Sequence, residues 1–393
     1  MAVRRKKIQA LVIFLLFVIY FFIAARPVPR EIVLAPQWIN SLDIQPGISP
    51  ESGSLITFDS TSGHIANRWS DKLIPFTLGD HFGYVDTSGR FSINRIKTSE
   101  IYLGENMWTE YSAEPSSIEI SNVSGVTLIN IENVRGYPVL LDNRIFIFGS
   151  EQNELSEIGP DGNVLWTYEF GAPLTCIDVS AGLVLTGSID GTVEILDSNG
   201  ERIFIFEPGG SRYEVILGCA LSQNGSLFGI ICGIEPQRFL LFERFSGGEY
   251  KVIHHEFLET GFRRPVHILF IDEDRRVIFE REGGISSYNL RSRRGIYIPL
   301  NGDITAIDGS GDQGFLFLVT SNSPERNELI GIKFSNDRRF ALSRFTSARD
   351  VVFMRAPFRS PDVFLGRVRT EGSGSMLIAG GGTTLISLVL EEK

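Results

Sequence analysis

Cysteine and histidine are scarce in this chain of 393 residues, which holds three Cys and five His. No two cysteines form a Cys-x-x-Cys pair, so the sequence gives no sign of a disulfide scaffold. Cys176, Cys219 and Cys232 each lie within an apolar run, where a small thiol packs as a hydrophobic side chain. We expect buried free thiols; the alternative is a Cys219–Cys232 bridge between neighbouring strands of a hairpin.

Basic residues are scarce beyond the N-terminus. Six of the 37 Lys and Arg residues lie in residues 1–30, which contain no acid, so the remainder has 31 basic against 47 acidic residues and a net charge of −16. A body this acidic repels polyphosphate, and we therefore expect no nucleic-acid partner. The simplest role of the acidity is solubility.

The chain has an internal repeat in place of these missing features. Residues 145–207 match themselves without a gap after a shift of about 38 residues. Each copy has apolar runs separated by turns that contain Gly, which predicts three short strands and two hairpins. A period of this length built from strands alone is typical of a β-propeller blade. The matched pairs are Gly149-Ser150 with Gly187-Ser188, Leu155 with Val193, Ile158 with Leu196, Gly162 with Gly200, Trp166 with Phe204 and Glu169 with Glu207.

The same texture extends over residues 51–393. We count six full units between about 71 and 348, with a weak unit over roughly 114–169. A seventh unit would be shared, with strands from 349–393 pairing with strands from 54–70, because joining the ends removes open sheet edges. We therefore predict an all-β propeller of about seven four-stranded blades. A sandwich or two smaller β-domains is the alternative, and the repeat disfavours both.

The N-terminus predicts a membrane segment. Residues 1–7 are a basic tail, and residues 8–25 form an apolar run long enough for a transmembrane helix. The positive-inside rule places the tail in the cytoplasm and the propeller on the extracytoplasmic, periplasmic side of the cytoplasmic membrane. We favour an uncleaved, single-pass signal-anchor; cleavage after Ala25 is the alternative. The Pro-rich residues 26–50 predict an extended spacer.

Two stretches resemble known repeat families. Residues 186–197 (TGSIDGTVEILD) are similar to the WD40 repeat, although Leu196 replaces the usual Trp. Residues 159–173 (GPDGNVLWTYEFGAP) resemble the PQQ-like repeat of quinoproteins. Both resemblances imply a propeller. The predicted layout of a membrane segment before such repeats is similar to that of envelope propellers, including the lipid-anchored outer-membrane assembly propeller, although the lipid-attachment Cys is missing.

No candidate for catalysis, cofactor binding or metal binding emerges. The PQQ-like resemblance would imply adjacent cysteines in a quinone pocket, and this chain has none. His254-His255-Glu256 suggests zinc, but His255 should face away from His254 and Glu256 in a strand, and no third ligand is near. The charged groups at 263–264, 272–276, 291–294 and 337–339 are typical of solvated hairpin tips. They could also form a docking rim, since partners bind propellers at their loops.

We therefore predict a non-enzymatic, membrane-anchored scaffold for protein partners in the envelope, with no cofactor, whose work would include envelope assembly. A second hypothesis is a ligand-binding or hydrolytic propeller that uses its central channel for a glycan or small molecule. A third is a cytoplasmic scaffold, which requires inverted topology.

Overall fold

A computed structural model of the chain describes residues 13–20, 32–43, 73–258, 261–308, 315–323, 326–334, 353–358, 363–369 and 375–392. The chain divides into two compact units, one of Met1–Ala35 with Leu390–Lys393 and one of Pro36–Val389. In the smaller unit, residues 13–20 form a short helix whose side chains are exposed except for the half-buried Val18. The larger unit holds nearly all of the strands.

The strands form eight sheets, and each sheet is one blade of a propeller. Blade 1 contains β2 (Ile74–Leu78), β3 (His81–Val85) and β4 (Phe91–Ile96), and blade 2 contains β5 (Glu100–Leu103), β6 (Met107–Tyr111), β7 (Ser117–Asn122) and β8 (Thr127–Glu132). Blade 3 contains β9 (Gly136–Leu141), β10 (Arg144–Gly149), β11 (Glu154–Ile158) and β12 (Val164–Glu169). Blade 4 contains β13 (Leu174–Ser180), β14 (Leu183–Ser188), β15 (Val193–Leu196) and β16 (Arg202–Phe206).

Blades 5 to 8 follow the same order. Blade 5 contains β17 (Tyr213–Leu221), β18 (Leu227–Ile234), β19 (Gln237–Arg244) and β20 (Tyr250–Leu258), and blade 6 contains β21 (Ile268–Ile271), β22 (Arg276–Arg281), β23 (Gly284–Asn289) and β24 (Arg294–Pro299). Blade 7 contains β25 (Asp303–Ile307), β26 (Phe315–Ser323), β27 (Arg326–Lys333) and β28 (Phe353–Phe358). Blade 8 contains β29 (Val363–Arg369), β30 (Ser375–Gly381) and β31 (Thr384–Glu392), joined by β1 (Ile32–Ser41) from the N-terminal region.

Strands run outward from the centre of the ring in chain order. The first strands of neighbouring blades contact each other, as β13 contacts β17 and β17 contacts β21. Second strands such as β14 are buried throughout, whereas fourth strands such as β16 expose alternate residues. This gradient explains the sequence texture, because a strand covered on both faces reads as a continuous apolar run and an outer strand alternates.

Neighbouring blades pack through apolar layers. Between blades 4 and 5 the layer is rich in aromatic rings: Phe204 of β16 contacts Phe228, Phe242 and Tyr250 of blade 5 edge-to-face. Phe228 and Phe242 stack with ring centroids 4.3 Å apart. Each blade therefore depends on its neighbours to bury its faces, which is why the fold is a closed ring.

The predicted count of about seven blades is wrong, because the structure has eight. The error falls at 71–169, where the sequence indicated two units and the structure has three blades. Strand β6 (MWTEY) carries polar residues within a short run, and β5 has only four residues. Blade 2 therefore has too weak an apolar signal to separate it from its neighbours.

The ring closes through the N-terminal strand. Blade 8 has the order β1-β31-β30-β29, so β1 is its outermost strand. The segment 26–50, predicted as an extended spacer, thus contains a strand. We predicted closure by strands within 54–70 and 349–393; residues 54–70 lie outside the described residues, as do 349–352.

The predicted transmembrane helix at 8–25 is also corrected. Among the described residues no helix is long and apolar enough to span a membrane. The helix at 13–20 has eight residues and extends about 12 Å, against a hydrocarbon core of about 30 Å. Residues 8–12 and 21–25 lie outside the described residues, as does the basic tail 1–7. Single-pass anchoring in the cytoplasmic membrane, with the propeller on the periplasmic side, is therefore not supported.

A recurring four-residue turn marks one face of the ring. In five blades the turn after the third strand closes when the N–H of its last residue, a Gly at positive φ, donates to the carbonyl of the first. We call the face that carries these turns the turn face. The opposite face, the connection face, carries the segments that link each blade to the next. The five turns are 86–89, 122–125, 159–162, 197–200 and 245–248.

Blade 1 has three strands among the described residues, and they match the second to fourth strands of the other blades. Trp38 of β1 lies against Gly89, which is in the turn after β3. Trp166 of β12 lies in the same way against Gly200, in the turn after β15. Because β15 is a third strand, β3 holds the third position in blade 1.

Candidate functional site

The connection from blade 4 to blade 5 is long and held firmly in place. Residues 207–212 (EPGGSR) turn through Gly209 and Gly210, both at positive φ. Ser211 Oγ then donates to the Pro236 carbonyl at 2.7 Å, and the Arg212 N–H donates to the Glu235 carbonyl at 3.0 Å. The connection is thereby fixed to the β18–β19 hairpin, and the side chains that follow it are preorganised.

A cleft of about 730 Å³ opens on the connection face beside this segment. We call it the Tyr213 cleft. Its base includes Val215, Leu217 and Ile234, which also belong to the apolar layer between blades 5 and 6. Its exposed apolar side chains are Tyr213, 47% exposed, and Ile189, 56% exposed. Large apolar side chains left exposed over an apolar base are typical of a binding surface.

Basic side chains lie on the blade 5 side of the cleft. Glu235 sits between Arg212 and Arg263, with N–O distances of 3.1 and 3.0 Å. The Arg212 guanidinium also lies 5.3 Å from the centroid of the Tyr213 ring. Both arginines are about 70% exposed, so these ion pairs contribute little to stability. The three side chains together carry one net positive charge.

Acidic side chains lie where blade 4 meets blade 5: Asp190 in the β14–β15 turn and Glu214 near the start of β17. Glu214 is packed against Gly191, where an added Cβ would come within 2.9 Å of the Glu214 Cβ. Asp190 accepts hydrogen bonds from Ser188 Oγ and the Thr192 N–H. Burial alone would raise the pKa of Asp190, but these hydrogen bonds outweigh it and lower the pKa below its usual value. Asp190 is therefore ionised at neutral pH.

His254 and Glu256, the pair considered for zinc, share one face of β20 as predicted. His254 Nε2 lies 3.7 Å from a Glu256 carboxylate oxygen, while the His255 ring packs against Phe257 instead. The imidazole of His254 stacks on Tyr288 at 4.0 Å. Burial lowers the pKa of His254, although Glu256 opposes the shift. The pair belongs to the interface of blades 5 and 6 and lies in the strand, not at its end.

The charged groups predicted as hairpin tips separate into different roles. Arg263 lines the Tyr213 cleft, whereas the adjacent Arg264 pairs with the buried Glu280 at 2.7 Å. Arg275 pairs with Asp272 within its own turn, at 2.8 Å. Residues 337–339 lie outside the described residues. Among the members of these groups that the structure describes, Arg263 alone lines the cleft.

The cysteines are free thiols, and the alternative Cys219–Cys232 bridge is wrong. Cys232 pairs in register with Ile216, and Cys219 with Ile230, so the two are not opposite each other in the hairpin. Among the described residues, no group of three His, Cys, Asp or Glu side chains could hold a metal ion.

Sequence reasoning did not identify Tyr213 or Ile189. They belong to different blades, and the ring brings them together. One signal was available: residues 207–213 (EPGGSRY) place an aromatic residue directly after a Pro-Gly-Gly connection. Such loops on a rigid scaffold are where binding residues are commonly found.

Eight radial sheets closed by an N-terminal strand, with an open cleft on the connection face, define a β-propeller. A family model described as "beta-propeller protein" matches residues 1–372. The chain therefore belongs to this family of β-propeller proteins.

A relative in Treponema pallidum (strain Nichols), described as an uncharacterized protein, is 28% identical over 378 residues, covering 95% of this chain and 96% of its own. Among solved structures, BamB from Moraxella catarrhalis is similar, with a TM-score of 0.53 and 10% identity, covering 91% of this chain and 100% of that chain. Hsv2 of Kluyveromyces marxianus has a TM-score of 0.52 and 9% identity, covering 73% and 95%. At such low identity these likenesses show the fold alone.

Proposed function

We propose that this propeller is a protein-interaction module without catalytic activity of its own, and that its partner docks at the Tyr213 cleft. The observation that carries the proposal is the pair of exposed apolar side chains, Tyr213 and Ile189, above an apolar base. Tyrosine and arginine are enriched among the residues that dominate binding energy at protein interfaces. This cleft has Tyr213 with Arg212 and Arg263 beside it.

The rigidity of the cleft supports the same proposal. Its walls are connections fixed by backbone and side-chain hydrogen bonds, and its base is part of the packed layer between blades. A partner that binds such a surface spends little free energy on ordering it. Affinity then depends on what the partner buries.

A photo-reactive amino acid placed at Tyr213 tests this proposal in cells that make the protein. Tyr297, on the outer strand β24, is the matched control because its exposed fraction is also 47%. We expect a discrete cross-linked protein from position 213 and none from position 297. Equal cross-linking from both positions contradicts the proposal, and so does cross-linking from position 297 alone.

A further inference from the structure

We infer that the docking partner presents an extended peptide segment in which an apolar side chain is flanked by a basic residue on one side and an acidic residue on the other. The inference rests on the proposed docking at the Tyr213 cleft, and it adds the chemistry of the partner. Three features of the cleft support the inference: its apolar base, its opposed charges, and its volume together with the exposure of its arginines.

The base selects an apolar side chain. Val215 and Ile234 are half-buried and Leu217 is nearly fully buried, and all three line the cleft. Tyr213 and Ile189 can cover an inserted aliphatic or aromatic side chain from above. Burial of apolar area supplies most of the affinity in such sites.

The two sides of the cleft carry opposite charge. Asp190 stands on the β14–β15 turn of blade 4, and Glu214 of β17 lies against Gly191 of the same turn. Among the described residues no Lys or Arg nitrogen lies within 4.0 Å of either carboxylate. On the blade 5 side stand Arg212 and Arg263, which share the single carboxylate of Glu235. A segment of one charge would be attracted by one side and repelled by the other, so a dipolar segment fits both.

The volume of the cleft and the exposure of its arginines favour a short segment over a whole domain. A volume of about 730 Å³ is in the range that holds a drug-sized molecule or a few residues of peptide. Both arginines are exposed and make only surface ion pairs, so a partner carboxylate can compete with Glu235 for them. The charged residues thus select and orient the segment, while the apolar residue anchors it.

A random ten-residue peptide display library, selected on the full chain, tests the inference. We expect enriched sequences with an apolar residue between a Lys or Arg and an Asp or Glu. On Arg212→Ala with Arg263→Ala, selection should lose the acidic residue but keep the basic one. On Glu214→Lys it should lose the basic residue. Arg291→Ala with Arg294→Ala, on the turn face of blade 6, is the matched control and should return the wild-type pattern.

The affinity of one enriched peptide, synthesised and labelled, gives the second readout. The double variant at 212 and 263 should weaken its binding about tenfold, while the control pair should leave it unchanged. Enriched peptides without the charge pattern overturn the inference, as does equal binding by the two double variants. If Tyr213 still cross-links a partner in that case, the docking proposal stands and only the dipolar peptide fails. If the cross-link is missing as well, both fail.

Discussion

The two faces of the ring use their polar residues differently. On the turn face, Asp86 is 1% exposed and accepts hydrogen bonds from the N–H groups of Ser88 and Arg90. Asp197 accepts from the N–H groups two and four residues further on in the same way. On the connection face, Arg212, Glu235 and Arg263 are exposed, and the ion pairs between them lie at the surface.

This difference separates structural from functional positions. A polar side chain that closes a turn has its hydrogen bonds committed to the fold, so its loss destabilises the ring. A polar side chain at the rim of the cleft is available to a partner, and its loss should leave the fold intact. Substitutions of the turn-closing residues on the turn face should therefore reduce stability, and those of the exposed arginines at the rim of the Tyr213 cleft should reduce binding.

The largest effect on stability is expected from Gly200→Ala on the turn face. Gly200 has φ +77°, and an added Cβ would lie 2.5 Å from the Trp166 ring. We expect a loss of about 2–4 kcal/mol in the free energy of unfolding, measured with urea. Gly182→Ala is the matched control, because Gly182 has φ +76° but no neighbour within 4 Å; it should cost about 1 kcal/mol. Equal losses of unfolding free energy in the two variants would show that the close approach to the Trp166 ring adds nothing to the cost of Gly200→Ala.

Asp86→Ala should have the next largest effect, a loss of about 2 kcal/mol at pH 7. Burial alone would raise the pKa of Asp86, but hydrogen bonds from Ser88 and Arg90, with the charge of Arg90, lower it. The stability that the carboxylate contributes is thus present above its unfolded pKa and is lost as the pH falls through the folded pKa. The free energies of unfolding of the variant and the wild type should converge as the pH falls below the usual pKa of a carboxyl group, and a constant gap contradicts this assignment.

Asp178 should contribute a pH dependence of stability opposite in sign to that of Asp86. Asp178→Asn should remove this dependence, which we expect to amount to about 1–2 kcal/mol in the free energy of unfolding. Burial raises the pKa of Asp178 to about 6, against the hydrogen bonds donated by the Leu221 and Val179 N–H groups. Its contribution is present below its unfolded pKa and is lost as the pH rises through about 6. The variant should be less sensitive to pH between 4 and 7 than the wild type. An unchanged pH profile would rule out this role.

The smallest effect on stability is expected on the connection face. Arg263→Ala should change the free energy of unfolding by less than about 0.5 kcal/mol, because its ion pair with Glu235 is exposed. The adjacent Arg264→Ala should cost about 2 kcal/mol, because it leaves the 2%-exposed Glu280 without its partner. A comparable loss in both variants would mean that Arg263, at the rim of the cleft, also stabilises the fold.

Much of the fold could be predicted from the sequence where local chemistry decides it. The 38-residue match between 145–169 and 183–207 correctly predicted three strands in each copy, β10 to β12 and β14 to β16, and the turns at Gly162 and Gly200, but it did not include the first strand of either blade. Both glycines have positive φ, which explains why Gly recurs at this position of the repeat. Blade 2 was missed because β6 mixes polar and apolar residues, and β1 was missed because its partner β31 is more than 300 residues away.

The candidate site was less accessible to prediction. Arg263 and Arg264 are adjacent and chemically identical, yet one lines the cleft and the other pairs with Glu280. Strand geometry and the position of the next blade decide between these roles, and neither is encoded locally. The same holds for Ile189 and Tyr213, which come from two blades. Charge and turn patterns can indicate a loop, but the ring decides which loops meet.

Hydrogen–deuterium exchange with a selected peptide bound tests the central claim most directly, because every backbone amide on both faces reports at once. If the partner docks at the Tyr213 cleft, exchange should slow at residues 189–191, 211–215 and 234–235, and the turns at 86–89 and 197–200 should not change. Slower exchange confined to the turn face, the outer strands or the first strands around the channel would contradict the account.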